Sequence, residues 1–355
     1  MNNRENTLRA LRRDKPERVP FDFSLCPSLL ERFQLETGQT DYMKYFDFPF
    51  RYVELQPTTK KTDYSGYYSN LPANARPLSW NPEWGVMSTP CDTAHFEHML
   101  SPMTNIDSVD EIMSYPFPDL AENYRWEGVK EQVAEMINND LIAVAFMQMT
   151  LFEISWYLRG IENFLIDMLI NEDLCVALLD RVTKLRCEMA RRYAKAGVDI
   201  LMLGDDVSTQ ETMMIAKPMW QKYLKGRLEE VIRSAKEVNP EILIFYHGDG
   251  NLQDIIPDLI EIGVDILNPI QPECMDPVEI KRQYGNKISF WGTIGTQTTM
   301  PFGTPKDVKA ACQRMIQTVG RDGGLLLAPT HLLEPEVPWE NIKAFIEAVQ
   351  EYGVY

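Results

Sequence analysis

No CxxC pair occurs among the six cysteines of this 355-residue chain (Cys26, Cys91, Cys175, Cys187, Cys274 and Cys312). That excludes a zinc ribbon and a small disulfide framework. Neither GxGxxG nor GxxxxGK[ST] follows an apolar run, so no dinucleotide or P-loop site is indicated. The longest apolar stretches, such as 141–147, fall far short of the ~20 residues that cross a bilayer. The first twenty residues mix acids with bases and lack an apolar h-region, so no signal peptide is read. A reducing cytoplasm is the expected location. Positive charge is scarce: 35 Lys and Arg stand against 52 Asp and Glu, a net charge of −17. Phosphate contacts need basic patches, so neither nucleic acid nor an anionic membrane is an expected partner. A polyanionic substrate is disfavoured for the same reason. Histidine is rarest of all, with four residues.

What the sequence does contain is rhythm. Continuous apolar runs at 141–147, 198–203, 242–246, 264–269, 288–292 and 324–329 alternate with amphipathic stretches of helical period. The intervening helices are expected at 152–169, 177–195, 220–238, 252–262, 277–284, 305–320 and 338–352. Runs without polar alternation fit strands buried on both faces, hence a parallel sheet. A seventh strand is expected at 19–23 and an eighth before residue 100. The fold class is therefore α/β, a TIM-like (β/α)8 barrel read as a single domain over 1–355. A doubly wound open sheet is the alternative. Residues 58–118, rich in Tyr, Pro, Asn, Ser and Trp, form an irregular excursion expected to lie over the barrel mouth as a lid or substrate wall.

In parallel barrels, chemistry sits at the C-terminal ends of the strands. Polar residues crowd there: Gln148 and Glu153, then Asp205 and Asp206, His247 and Asp249, Gln271, and His331. His247, Asp249 and His331 make a two-histidine, one-carboxylate set of the kind that suits zinc or ferrous iron with open positions. A bland reading stands beside it, in which Asp249 merely caps a helix. Asp205 and Asp206 offer cation binding or proton transfer, or else a cap. Glu153 offers a base or ligand, or simply a first-turn acid facing the helix dipole. Cys274 reads as a thiol spectator or a soft ligand. Trp84, Tyr64 and Tyr68 in the excursion are candidate aromatic walls, and Gln148, Tyr246 and Gln271 are further candidate substrate contacts.

Several segments resemble the uroporphyrinogen decarboxylase superfamily, in order along nearly the whole chain. They are Arg18-Val-Pro20, Tyr157-Leu-Arg-Gly160, Gly204-Asp-Asp206, Tyr246-His-Gly-Asp-Gly-Asn251, Gly263-Val-Asp-Ile-Leu-Asn-Pro269, Phe302-Gly-Thr-Pro305 and Leu327-Ala-Pro-Thr-His331. The resemblance implies a distorted TIM-like barrel with a deep cleft. It also implies one of two chemistries. Decarboxylases of the superfamily carry an arginine-rich segment soon after the first strand; here that stretch is Phe21-Asp-Phe-Ser-Leu-Cys-Pro-Ser-Leu-Leu30, with no arginine. Arg51, Arg76, Arg159 and Arg282 are the remaining candidates to bind substrate carboxylates. The methyltransferase relatives hold zinc through a His-x-Cys pair and a Cys in an AP-x-C context. The matching positions here are His247, Asp249 and His331, with both cysteines replaced.

The reading implied is a zinc-dependent methyltransferase of the branch related to corrinoid-dependent methyltransferases. It would move a methyl group between a small methylated or methoxylated substrate and a corrinoid protein. The metal would sit on His247, Asp249 and His331, and Asp205, Asp206, Glu153 and His331 would serve the chemistry. A corrinoid protein and a second copy of the chain are the candidate partners. The alternatives are a decarboxylase and a non-catalytic component that docks a corrinoid protein.

Overall fold

The apolar runs become parallel strands because both of their faces are covered. The computed structural model describes residues 1–91 and 96–355. The runs form β1 (Phe50–Tyr52), β2 (Ile142–Phe146), β3 (Ile200–Gly204), β4 (Leu243–His247), β5 (Ile266–Asn268), β6 (Ser289–Ile294) and β7 (Leu325–Pro329). Neighbours in sequence are neighbours in the sheet, and every pair is parallel. A doubly wound sheet would reverse its order at a switch point, and this one does not. It curls until Phe50 of β1 meets Trp291 of β6, with ring centroids 5.2 Å apart. The fold is α/β, of the TIM-like barrel type.

Residues 20–26 lie along β7 at the eighth position. Leu327 donates its N–H to the Pro20 carbonyl at 2.9 Å, and Leu333 donates to that of Ser24 at 2.9 Å. The expected strand at 19–23 is thus two single parallel bridges, Phe21 to Leu327 and Leu25 to Leu333. Pro20 has no N–H to give, and Pro27 opens the next helix, so no longer ladder can form there. The strand sought before residue 100 is β1.

Alternation along each strand sorts the side chains. Phe50, Val144, Met202, Phe245, Ile266 and Trp291 belong to a cluster that fills the lumen, with Leu8 and Leu11 of α1 (Asn3–Leu11) packed into it. The residues between them, among them Ala145, Leu203, Ile244 and Tyr246, pack beneath the outer helices. Two residues beyond Phe50, Val144, Met202, Phe245 and Ile266 along their strands stand Tyr52, Phe146, Gly204, His247 and Asn268. This register carries a ring of lumen positions to the mouth.

After β2 the expected helix at 152–169 is two, α2 (Phe152–Arg159) and α3 (Ile161–Ile170), hinged at Gly160 with φ +83°. The long α4 (Glu172–Ala196) follows. In the excursion, Arg76–Pro77, Met87–Pro90 and Glu97–Leu100 form a small antiparallel sheet. The turn before Met87 is held by Arg125, whose guanidinium makes two 2.8 Å bonds to Glu83 and one of 2.6 Å to Asp119. Gly85 follows at φ +76°, where a Cβ would strike the ring of Tyr64 and the hydroxyl of Tyr115. His95 lies outside the described residues. Among the described residues no helix is long and apolar enough to cross a membrane.

Candidate active site

His247 ends β4 on the lumen side, paired in register with Gly204 of β3 and Asn268 of β5. Gly204 is the reason it fits. A Cβ there would come within 2.6 Å of the Cβ and the carbonyl oxygen of His247. Asn268 sets the ring's chemistry. Its Nδ2 donates to the Trp291 carbonyl at 2.7 Å, which leaves its Oδ1 facing Nδ1 of His247 at 2.5 Å. An amide oxygen only accepts, so the network assigns the proton to Nδ1 and leaves the Nε2 lone pair free in the neutral ring. That nitrogen lies 3.7 Å from an Asp206 oxygen and 3.9 Å from Asp249 Oδ1.

The three side chains offer ligand atoms that all lie within 4.8 Å of one another. Asp249 Oδ1 is buried and has no hydrogen-bond partner. Its other oxygen is 3.8 Å from Nε2 of His331, which stands at the more exposed rim. His247 and His331, far apart in sequence, therefore approach the same carboxylate from two sides. Burial alone pulls the His247 imidazole down, but the charges of Asp249 and Asp206 and the Asn268 acceptor outweigh it and raise it. Burial raises Asp249, partly offset by the two imidazoles. An orphaned buried carboxylate oxygen, a tautomer fixed with its lone pair inward, and a second acid form a nitrogen-and-oxygen donor set that fits a divalent cation.

Glu153, in the first turn of α2, completes the acidic group. Tyr157 donates to its Oε1 at 3.2 Å, and the Asp206 N–H donates to its Oε2 at 3.1 Å. Burial, then the charges of Asp206 and Asp205, hold its carboxyl well above the usual range. The neutral acid is thus favoured at this position.

Four expected contacts take other places. Asp205 is turned away from the cleft: its carboxylate accepts the N–H of Leu151 at 3.0 Å and of Glu153 at 2.9 Å and so caps α2. Tyr246 faces the helices, because it falls between the lumen positions Phe245 and His247; its hydroxyl donates to the Asp205 carbonyl at 3.4 Å. Gln271 is buried and accepts the Gly250 N–H at 2.6 Å, fixing the loop that carries Asp249. Trp84 is buried against Phe117 and the guanidinium of Arg186. It shares the lining of a cavity of about 200 Å³ with Gln148, Phe146 and Trp80, where the excursion meets the barrel mouth. Tyr64 and Tyr68 line a separate cavity of about 630 Å³ whose lining is almost wholly the excursion's own residues. Cys274 is half-buried near the Gln271 amide.

The sequence reading gave no role to Asn268 or Tyr157, and none to Trp291, although the first two lie inside the quoted segments. The signal for Asn268 was register alone: a polar residue two positions beyond a lumen isoleucine.

The four arginines considered for carboxylate binding are committed elsewhere. Arg51 donates to the carbonyls of Phe48 and Phe50, Arg76 pairs with Glu97, Arg159 with Asp167, and Arg282 with Glu279.

The family model described as uroporphyrinogen decarboxylase (URO-D) matches residues 101–352. The chain belongs to the uroporphyrinogen decarboxylase family. Among its relatives in this family, a methylcobamide:CoM methyltransferase MtaA of Methanosarcina barkeri is 26% identical over 196 residues, covering 55% of this chain and 54% of that one. A uroporphyrinogen decarboxylase of Coxiella burnetii is 22% identical over 184 residues, covering 51% and 48%. The chain thus spans about half the length of the curated relatives it matches. Among solved structures, a methyltransferase from Methanosarcina mazei shares the fold with a TM-score of 0.62, 18% identity and 99% of both chains covered. The family therefore includes relatives named for both chemistries.

Proposed function

We propose that this chain is a metal-dependent methyltransferase of the family, moving a methyl group between a small methylated or methoxylated substrate and a corrinoid. The observation that carries this reading is the convergence of His247, Asp206 and Asp249 around an orphaned buried carboxylate oxygen, with His331 against the same acid. His247, Asp249 and Asp206 would hold the ion, with His331 closing the rim. Zinc is the ion proposed, and when bound it supplies Lewis acidity toward the heteroatom that carries or receives the methyl group.

The chain's own residues do the rest. Asn268 keeps Nε2 of His247 inward. Glu153, with its proton held by burial and its neighbouring acids, would deliver that proton to the heteroatom that gives up its methyl group and be left as the carboxylate. Tyr157 holds the Glu153 carboxyl in place. Trp80 and Trp84 line, with Gln148, the cavity where the excursion meets the barrel mouth.

Decarboxylation of a many-acid substrate fits less well. The mouth is lined with acids, and the candidate arginines are spent elsewhere. The test incubates zinc-loaded protein with cob(I)alamin and a panel of methyl ethers and methylated amines, and follows methylcobalamin by its spectrum. Methylcobalamin formation that disappears in His247→Ala supports the proposal. Release of CO₂ from uroporphyrinogen, with no methyl transfer, overturns it.

A further inference from the structure

The segment beside β7 carries a further acid that the proposed chemistry does not use. Asp22, on the segment beside β7, is 8% exposed and accepts the indole N–H of Trp291 at 2.9 Å through Oδ1. Its Oδ2 has no hydrogen-bond partner, and no cation pairs with it, among the described residues. Unlike Asp249 Oδ1, that oxygen is not sealed from solvent, so it is open to a ligand that brings a donor.

Beside it, two lumen positions are open where the others are packed. Tyr52 is 39% exposed and Phe146 is 45% exposed, though Phe50 and Val144, two residues earlier on the same face, are buried. Their rings meet edge to face at 6.1 Å. Both rings are thus open to solvent at this level, beside a carboxyl group whose second oxygen is free. Trp291 ties this corner to the other: its indole N–H binds Asp22, and its carbonyl binds the Asn268 that orients His247.

We propose that Asp22 is the recognition group of a substrate subsite, taking the end of the substrate that carries a hydrogen-bond donor, a hydroxyl or an ammonium, and rejecting a carboxylate. The apolar body of the substrate packs on Tyr52 and Phe146. The substrate is then a small molecule with an apolar, ring-sized body and a donor head. Only the linkage of both subsites to one substrate rests on the methyl-transfer reading; binding at Asp22 needs no metal.

The test is calorimetric titration of chelator-treated protein at pH 8 with three probes that share a ring: benzylamine, benzyl alcohol and benzoate. The wild type is expected to bind the amine or the alcohol at least about tenfold more tightly than benzoate. Asp22→Asn loses the charge and keeps a polar partner for a hydroxyl, its oxygen taken by the Trp291 N–H and its NH₂ standing where the free oxygen was; Asp22→Leu loses both. Weakening of benzylamine alone in Asp22→Asn assigns an ammonium head. Retention in Asp22→Asn with loss of benzyl alcohol in Asp22→Leu assigns a hydroxyl. Benzoate binding as tightly as the other two in the wild type overturns the proposal, as does failure of both donor probes to bind. Unchanged affinities in a folded Asp22→Leu also overturn it. If Asp22-dependent binding is seen while methyl transfer is absent, the subsite stands and the proposed reaction falls.

Discussion

Two adjacent acids in one loop illustrate how much a single position decides. Asp205 and Asp206 share a loop and a residue type, yet one caps a helix and the other faces a histidine. Asp205→Ala leaves N–H groups of α2 without a partner and is expected to cost about 1–2 kcal/mol in stability. Asp206→Asn, which keeps the acceptor for the Asp249 N–H, is expected to leave the melting temperature nearly unchanged while weakening metal binding. Denaturant melts and zinc competition on the two variants check the division. Asn268→Leu frees the His247 ring and is expected to weaken zinc about 10–100-fold, as loss of the group orienting a ligand usually does. Nothing in the sequence tells the two acids apart, because a one-residue offset at a strand end decides which side faces the cleft.

Strands and their flanking segments carry the next set of consequences. Burial pushes the Asp22 carboxyl up to about 7, against the lowering effect of the Trp291 hydrogen bond. Its folded value lies above its unfolded one, so the stability it contributes is fully present below about pH 4 and is lost as the pH rises through about 7. Asp22→Asn removes that loss. The variant is expected to melt higher than the wild type at pH 8 and at about the same temperature at pH 4; an equal shift at both pH values contradicts the assignment. The excursion is pinned by Arg125 on Glu83 and Asp119. Arg125→Ala is expected to speed limited proteolysis within residues 58–118 by roughly tenfold, read by mass spectrometry. The six strands from β2 to β7 were legible in the sequence to within about two residues as continuous apolar runs, whereas the three-residue β1 was expected only somewhere before residue 100. The bridge-like segment at 20–26 was not, because Pro20 breaks the ladder while the hydrophobic pattern continues. The break at Gly160 escaped for a similar reason, as apolar periodicity runs across it.

At the scale of the whole molecule, the closing of the sheet is what turns distant residues into one site. It brings β4 and the end of β7 round so that His247 and His331 meet at Asp249. The sequence showed which residues stand at strand ends, but not which way each one points. Tyr246, Gln271 and Asp205 were therefore indistinguishable from His247 until the register was known. The acids gathered at the mouth, Glu153, Asp206 and Asp249, favour a cationic or neutral ligand over an anionic one. The most direct measurement is equilibrium dialysis of chelator-treated protein against zinc, in the wild type and in His247→Ala, with folding verified for both. The account predicts about one equivalent retained by the wild type and a large loss of affinity in the variant. A folded wild type that binds no zinc, or a variant that binds it equally well, would contradict the account.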